Sequence, residues 1–118
     1  MIDTTIYNYM VNSANLGASV YMERPEKPTK PFIVIEKTGE NENNILRRST
    51  IAIQCYDTTL YKSAVLCENV IGAMINGVVG LGSVASVKLN NSYNFTKTDS
   101  KEYRYQAVFE VYWYQQEE

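Results

Sequence analysis

The strongest constraint on the fold is a long segment near the end of the chain, residues 101–114, in which apolar and polar side chains alternate. In an extended backbone, successive side chains point to opposite sides. One side then carries Tyr103, Tyr105, Ala107, Phe109, Val111 and Trp113. The other side carries Arg104, Gln106, Val108, Glu110, Tyr112 and Tyr114. The pattern predicts a long strand in a sheet that is covered on one side only.

Two further segments upstream predict a hairpin. Residues 32–35 are continuously apolar, which is typical of a strand that is buried on both faces. Residues 39–44 are rich in glycine and asparagine and predict a turn. Residues 45–56 predict the returning strand, and Ile51, Ile53 and Cys55 share one side of it.

Two helices are predicted from spacings of three and four residues. In the first, Asp3 or Thr4 is the expected cap and Gly17 the expected end. Its apolar side carries Ile2, Ile6, Tyr9, Ser13 and Leu16. The second helix follows the capping residues 57–59, with residues 76–77 as its expected stop. Its apolar stripe carries Leu60, Ala64, Cys67, Ile71, Met74 and Val78. The stripe covers fewer than three heptads, so packing on a sheet is favoured over a coiled coil.

After the second helix, the pattern predicts three strands: residues 85–89, residues 93–98 after a bend at 90–92, and the final segment. The order of elements predicts an α+β fold. We expect residues 1–118 to form a single domain, a mainly antiparallel sheet with two helices packed on one face.

Composition limits the classes of function that are open to the chain. The chain has 118 residues, 45% of them hydrophobic and 20% charged, as in ordinary globular domains. The net charge is −2 and the cations are scattered, which disfavours a nucleic-acid-binding face. Histidine is absent, which excludes imidazole-activated nucleophiles and most zinc sites. We expect no cofactor and no metal, and we expect Cys55 and Cys67 to be buried apolar residues.

Other motifs have plain structural interpretations. Residues 77–82 are rich in glycine but follow a helix, so they lack the geometry of a phosphate loop. Glu36, Glu40 and Glu42 are expected in a solvated loop rather than a catalytic pair. The uncharged stretch 69–87 is long enough to span a membrane, but glycines and asparagines interrupt it, so no membrane span is expected. The first residues show no secretory signal, and we expect a cytoplasmic protein.

The ten tyrosines are the most unusual feature of the composition. Tyrosine is enriched at protein interfaces because it joins a large contact area to a polar tip. We expect Tyr103 and Tyr105 in the core. The proline-rich residues 23–31 form either a connector or a loop that reaches a neighbouring subunit. We predict subunit contacts at Arg104, Tyr112, Tyr114, Tyr93, Phe95 and Pro28.

Three parts of the chain together resemble a known family. They are residues 20–25 with 32–39, residues 49–57, and residues 87–96 with 103–109. The pattern is similar to the tail terminator, or tail completion, proteins of tailed bacteriophages and prophages of Gram-positive bacteria, in the lambda-type terminator superfamily. The likeness covers residues 19–112, and it consists of strand and helix patterns without a catalytic signature.

The resemblance implies a structural virion protein, assembled in the bacterial cytoplasm, that forms a hexameric ring at the head-proximal end of the tail. Such a ring ends polymerisation of the tail tube and joins tail to head. The implied partners are further copies of the chain, the major tail tube protein and a head or neck connector protein, while DNA passes through the lumen without specific binding. The alternatives are a neck or head-completion protein that binds the portal-side ring and, less favoured, a small enzyme.

Overall fold

Within residues 2–41 and 46–114, which the computed structural model describes, the chain forms two α-helices and a sheet of five strands. In chain order the elements are helix α1 (Ile2–Asn12), strands β1 (Ser19–Tyr21), β2 (Phe32–Asn41) and β3 (Leu46–Tyr56), helix α2 (Leu60–Gly72), and strands β4 (Val84–Asn94) and β5 (Arg104–Tyr114). The order in the sheet is β1-β2-β3-β5-β4, with β1 parallel to β2 and the other pairs antiparallel. The predicted α+β fold with a mainly antiparallel sheet is confirmed.

The main core lies between one face of the sheet and the two helices. Alternate residues of the central strands contribute to it, together with the inner sides of α1 and α2. Its fully buried members include Ile33, Ile35, Ile51, Ile53, Phe109, Val111, Ile2, Ile6, Val70 and Met74. The predicted apolar side of the last strand therefore faces the helices. Tyr105 packs against this core, whereas Tyr103 precedes β5 and is only half-buried.

Helix α1 differs from the prediction at both ends. Asp3 and Thr4 lie inside the helix, so neither is its cap. The helix ends at Asn12, and Gly17 has a φ of 70° in the turn that leads to β1. Its third buried position is Met10, which the predicted stripe missed.

Helix α2 begins as predicted, but its α-helical part ends at Gly72 and helical turns of other kinds continue to Gly80. The hydroxyl of Thr59 accepts a hydrogen bond from the backbone N–H of Lys62 at 3.1 Å, which confirms the cap. The predicted stop at Gly77 is wrong, because the chain continues as a π-helical turn, Ala73–Gly77, and a 3₁₀ turn, Val78–Gly80. A Cβ at Gly77 would collide with the side chain of Tyr9, so glycine allows α1 to pack closely here.

The buried side of α2 is also rotated from the predicted stripe. The buried positions of α2 and the turns after it are Ser63, Leu66, Cys67, Val70, Met74 and Val78. Leu60 is exposed at the start of the helix, and Ala64 and Ile71 lie at its sides, half-buried. Ser63 is tolerated in the core because its hydroxyl donates to the carbonyl of Leu60 at 2.8 Å.

One predicted break in the strands is absent, and another begins later than predicted. Leu89 pairs with Phe109 and Asn91 with Val108, so Asn90 is the extra residue of a bulge within a continuous β4. Two strands rather than three therefore follow α2. The predicted turn at 39–44 is partly strand, since β2 runs to Asn41, and the rest of that turn lies outside the described residues.

Candidate functional site

The sheet has a second face, opposite the helices, which we call the open face. Cross-strand pairs on it include Gln54 with Gln106 and Thr50 with Glu110. These positions alternate with core residues such as Ile53, which pairs with Ala107. The open face is the polar side predicted for the last strand, extended across its neighbours.

A hydrogen-bonded network crosses four strands of the open face. Gln54 Nε2 donates to Gln106 Oε1 at 2.6 Å and lies 3.4 Å from Glu36 Oε1. Gln106 Nε2 in turn donates to the hydroxyl of Tyr93. Both glutamines are only 9% exposed. These side-chain amides therefore have hydrogen-bond partners within the same subunit. Neither glutamine was singled out from the sequence, because their contact depends on the cross-strand register.

A second cluster on the open face surrounds Glu110. Its Oε1 accepts hydrogen bonds from the Thr50 hydroxyl at 3.0 Å and from Asn90 Nδ2 at 3.2 Å. Arg48 Nε lies 3.8 Å from its Oε2. The bulge at Asn90 thus allows the edge strand to reach the carboxylate. The open face is polar, and several of its charged and amide groups already have partners in the same chain.

The predicted contact residues divide into two groups along β5. At the N-terminal end of the strand, Arg104 lies 4.3 Å from the centre of the Phe95 ring and donates to the hydroxyl of Tyr56 at 3.0 Å and to the carbonyl of Phe95 at 2.6 Å. The rings of Tyr93 and Phe95 meet edge to face at 5.8 Å. The structure therefore brings Tyr93, Phe95 and Arg104 together, with the guanidinium held inside the subunit.

Tyr112 and Tyr114 lie at the other end of β5. Eight residues of strand, about 27 Å, separate Tyr112 from Arg104. Tyr112 is half-buried and pairs with Arg48 on one side and Ser86 on the other. Tyr114 is 48% exposed and pairs with Leu46, which is also exposed. Of the predicted contact residues, Tyr114 is the most available to a partner.

The loop that carries Pro28 is attached to its own subunit. Pro28 itself is half-buried. Arg24, earlier in the loop, forms an ion pair with Glu102 and lies 5.9 Å from the centre of the Tyr56 ring. That ring stacks on Phe32 at 4.3 Å in a small second core on the open face. These contacts favour a connector that covers part of the sheet, although a neighbouring subunit can still reach its outer side.

A charged cluster lies at the far end of β2, on the helix side. Glu40 accepts from Ser49 at 3.0 Å, and Lys37 and Arg47 each approach it at 3.2 Å. Trp113 Nε1 donates to the Ser49 hydroxyl at 2.9 Å. Desolvation opposes ionisation of Glu40, but the hydrogen bonds and the neighbouring cations outweigh it and lower its pKa. Glu36 and Glu40 were expected in a solvated loop, and that expectation is wrong because both lie in β2. Glu42, for which the same expectation was made, lies outside the described residues.

The outer side of α2 and the turns after it expose several large apolar side chains. Tyr61 is 78% exposed and Val65 41% exposed, and Leu60 lies beside them. Further along, Ile75 and Val79 are exposed in the turns that follow the helix. Lys62 and Glu68 are its two charged residues, and none occurs from Asn69 to Val87. Apolar side chains exposed in a group are more common at interaction sites than singly exposed ones.

The edges of the sheet carry features that discourage pairing with another strand. The outer edge is β4, whose register shifts at Ala85 and at Asn90 and which carries Lys88 between them. The opposite edge strand is β1, which has three residues. Bulges, edge lysines and short edge strands all reduce edge-to-edge association. The apolar side of α2 has no comparable protection.

Two features of the chain, a long apolar helical segment and a pair of cysteines, have structural explanations. Leu60–Gly80 is long and apolar enough to cross a membrane, but its inner side packs into the core of the domain. A hydrogen bond to Cys67, together with burial, raises the pKa of the Cys55 thiol. Both cysteines are buried and unpaired, as predicted. Within residues 2–41 and 46–114, no group of three or more acidic or cysteine side chains could hold a metal ion.

The fold is similar to that of a chain in the virion of a native gene transfer agent (GTA) particle. The TM-score is 0.68 at 13% sequence identity, and the match covers 93% of this chain and 92% of that chain. No protein-family model and no curated protein matches the sequence. At this identity the likeness establishes a shared fold, which extends over nearly the whole of both chains.

Proposed function

We propose that the chain is a structural protein of a phage-like virion. The observation that carries the proposal is the fold shared with a chain of the GTA virion, which covers 93% of this chain and 92% of the other. The resemblance of the sequence to tail terminator proteins points to the same class of protein. A match over whole chains supports a common architecture better than a shared substructure does.

The specific role proposed is that of a tail terminator. The chain forms a hexameric ring on the head-proximal end of the tail tube, stops polymerisation and joins tail to head. A ring needs two unlike patches that meet head to tail. The two ends of β5 supply candidates, with Tyr93, Phe95 and Arg104 at one end and Tyr112 and Tyr114 at the other. The proposal assigns no catalytic reaction to the chain.

The charge arrangement fits a lumen through which DNA passes without specific binding. Arg24 pairs with Glu102, Arg48 lies near Glu110, and Arg104 is held by aromatic groups. Cations engaged in this way are less available to phosphates, and tight binding of a DNA backbone requires several free ones. We expect DNA binding to be weak at physiological salt.

Sedimentation velocity and negative-stain microscopy of the purified chain, alone and with the major tail tube protein, test the role. Rings of hexameric mass on one end of each tube are the expected result. A chain that stays monomeric and never binds tube ends contradicts the proposal. Binding to a portal-side ring, with no binding to tubes, would instead favour the alternative role of a neck or head-completion protein.

A further inference from the structure

The two cysteines lie on facing elements of the main core. Cys55 is in β3, on the side of the sheet that faces the helices, and Cys67 is on the buried side of α2. Cys55 is 0% exposed and Cys67 is 2% exposed, and both are free thiols. The Cys55 thiol donates a hydrogen bond to the Cys67 sulfur. The two sulfur atoms therefore face each other between the helix and the sheet.

A groove of about 230 Å³ beside α2 gives a small molecule access to this pair. Cys67 is part of its lining. Tyr105 also lines the groove, and Tyr105 is the cross-strand partner of Cys55. Cys67 is thus the member of the pair that borders the groove, and Cys55 lies deeper, beside Tyr105. A water molecule occupies about 30 Å³ in the liquid, so the groove has room for hydrogen peroxide.

We propose that Cys55 and Cys67 form a disulfide bond within the folded subunit when the chain meets a peroxide. The Cys67 thiolate attacks the O–O bond, its sulfur gains one oxygen as a sulfenic acid, and the hydroxide that leaves takes up the proton that Cys67 released. The Cys55 sulfur then attacks the Cys67 sulfur, the S–O bond breaks, and the oxygen leaves as water with the Cys55 proton. Two thiols are oxidised to one disulfide, and one hydrogen peroxide is reduced to two waters.

Two observations assign the first step to Cys67. It borders the groove, whereas Cys55 is fully buried. The hydrogen bond from Cys55 also lowers the pKa of the Cys67 thiol, and its effect exceeds the opposing effects of burial and of the Glu68 carboxylate. The thiolate is the nucleophilic form of cysteine, so the accessible thiol is also the more readily ionised one. The same hydrogen bond, together with burial, raises the pKa of Cys55 and keeps it protonated.

The disulfide has a consequence for stability. It joins α2 to β3 and closes a loop over residues 56–66, which restricts the unfolded chain and stabilises the fold. Thiols stay reduced in the bacterial cytoplasm, whereas disulfides persist on released virions. The chain assembles with two thiols and gains the bond after release. This use rests on the proposed function, whereas the reaction of the two cysteines does not.

Treatment of the purified, folded chain with hydrogen peroxide tests the pair. Intact mass spectrometry and thiol titration should show a monomer that is lighter by two hydrogen atoms and has no free thiol, and dithiothreitol should restore both thiols. The oxidised monomer should melt about 5–10 °C higher than the reduced one. Thiols that persist, that react only after unfolding in urea, or that link separate chains overturn the proposal. Each of these results leaves the proposed function standing, because ring formation is measured separately.

Two alanine variants test the order of the steps. Cys55→Ala retains the thiol that borders the groove and should gain oxygen at Cys67. Cys67→Ala retains only the fully buried thiol and should stay unmodified at the same dose of peroxide. Cooperative thermal unfolding first checks that each variant is folded, and the wild-type masses decide the proposal without them. Equal oxidation of the two variants overturns the assignment of the first step to Cys67.

Discussion

The open face of the sheet and the outer side of α2 differ in how they treat their polar and apolar groups. On the open face, Gln54, Gln106 and Glu110 make hydrogen bonds within the chain and are largely shielded from water. On α2, Tyr61 and Val65 are exposed, and Lys62 and Glu68 form no salt bridge within residues 2–41 and 46–114.

This difference shows that aromatic or polar character alone does not identify an assembly surface. The sequence directs attention to the tyrosines of β5, which are close to residues that already satisfy one another. A surface of unpaired groups gains more from a partner, because binding there need not break existing hydrogen bonds. By this reasoning, the exposed groups on the outer side of α2 gain more free energy from a partner than the groups at the ends of β5 do.

The largest effect tests whether the polar groups of the open face are satisfied by one another. Gln106→Ala leaves Gln54 and Tyr93 without their partner, and we expect the free energy of unfolding to fall by about 1–3 kcal/mol. Replacing both Gln54 and Gln106 by Leu removes the unpaired amide and should cost less than the single change. Urea denaturation measures the series. A harmless Gln106→Ala would mean that the network contributes nothing to stability.

A smaller effect is expected at the C-terminal end of β5, on the open face. Replacing Tyr112 and Tyr114 by Ser should leave a folded chain and weaken the proposed ring by about tenfold, since contact area is lost without an unpaired charge. Tyr61→Ser is the control on α2, and it should spare the ring. Electron microscopy with tail tube protein measures ring formation. Full assembly of the Tyr112 and Tyr114 variant would show that this end of β5 is not a contact.

The smallest effect concerns pH. The folded chain holds the pKa of Glu40 below its ordinary value of 4.5. A carboxylate with a lowered pKa stabilises the fold above the unfolded pKa, and that contribution is lost as pH falls through the folded one. The contribution is below about 1 kcal/mol because the pairs are near the surface. The melting temperature of Glu40→Gln should therefore fall less than that of wild type between pH 6 and pH 3, and parallel curves would contradict the assignment.

Much of the fold follows from local pattern. The alternation in the last segment, the apolar run at 32–35 and the Thr59 cap predict elements that the structure contains. The errors arise where tertiary contacts override local signals. Asn90 and Asn91 have the sequence pattern of a bend, but pairing with β5 holds them in a bulge. Gly77 has the pattern of a helix end, but it lies against the side chain of Tyr9, which leaves no room for a Cβ.

The candidate surfaces were less predictable than the fold. The contact of Gln54 with Gln106 joins residues far apart in sequence and depends on the register of β3 against β5. The exposed side of α2 could be identified only after the buried side was known, because the helix is apolar on more than one side. The predicted stripe included Leu60, which the structure leaves exposed.

The most direct test of the account is sedimentation velocity and negative-stain microscopy of the purified chain mixed with the major tail tube protein. Rings of hexameric mass on one end of each tube are the result that the account predicts. A chain that stays monomeric and never binds tube ends would contradict it.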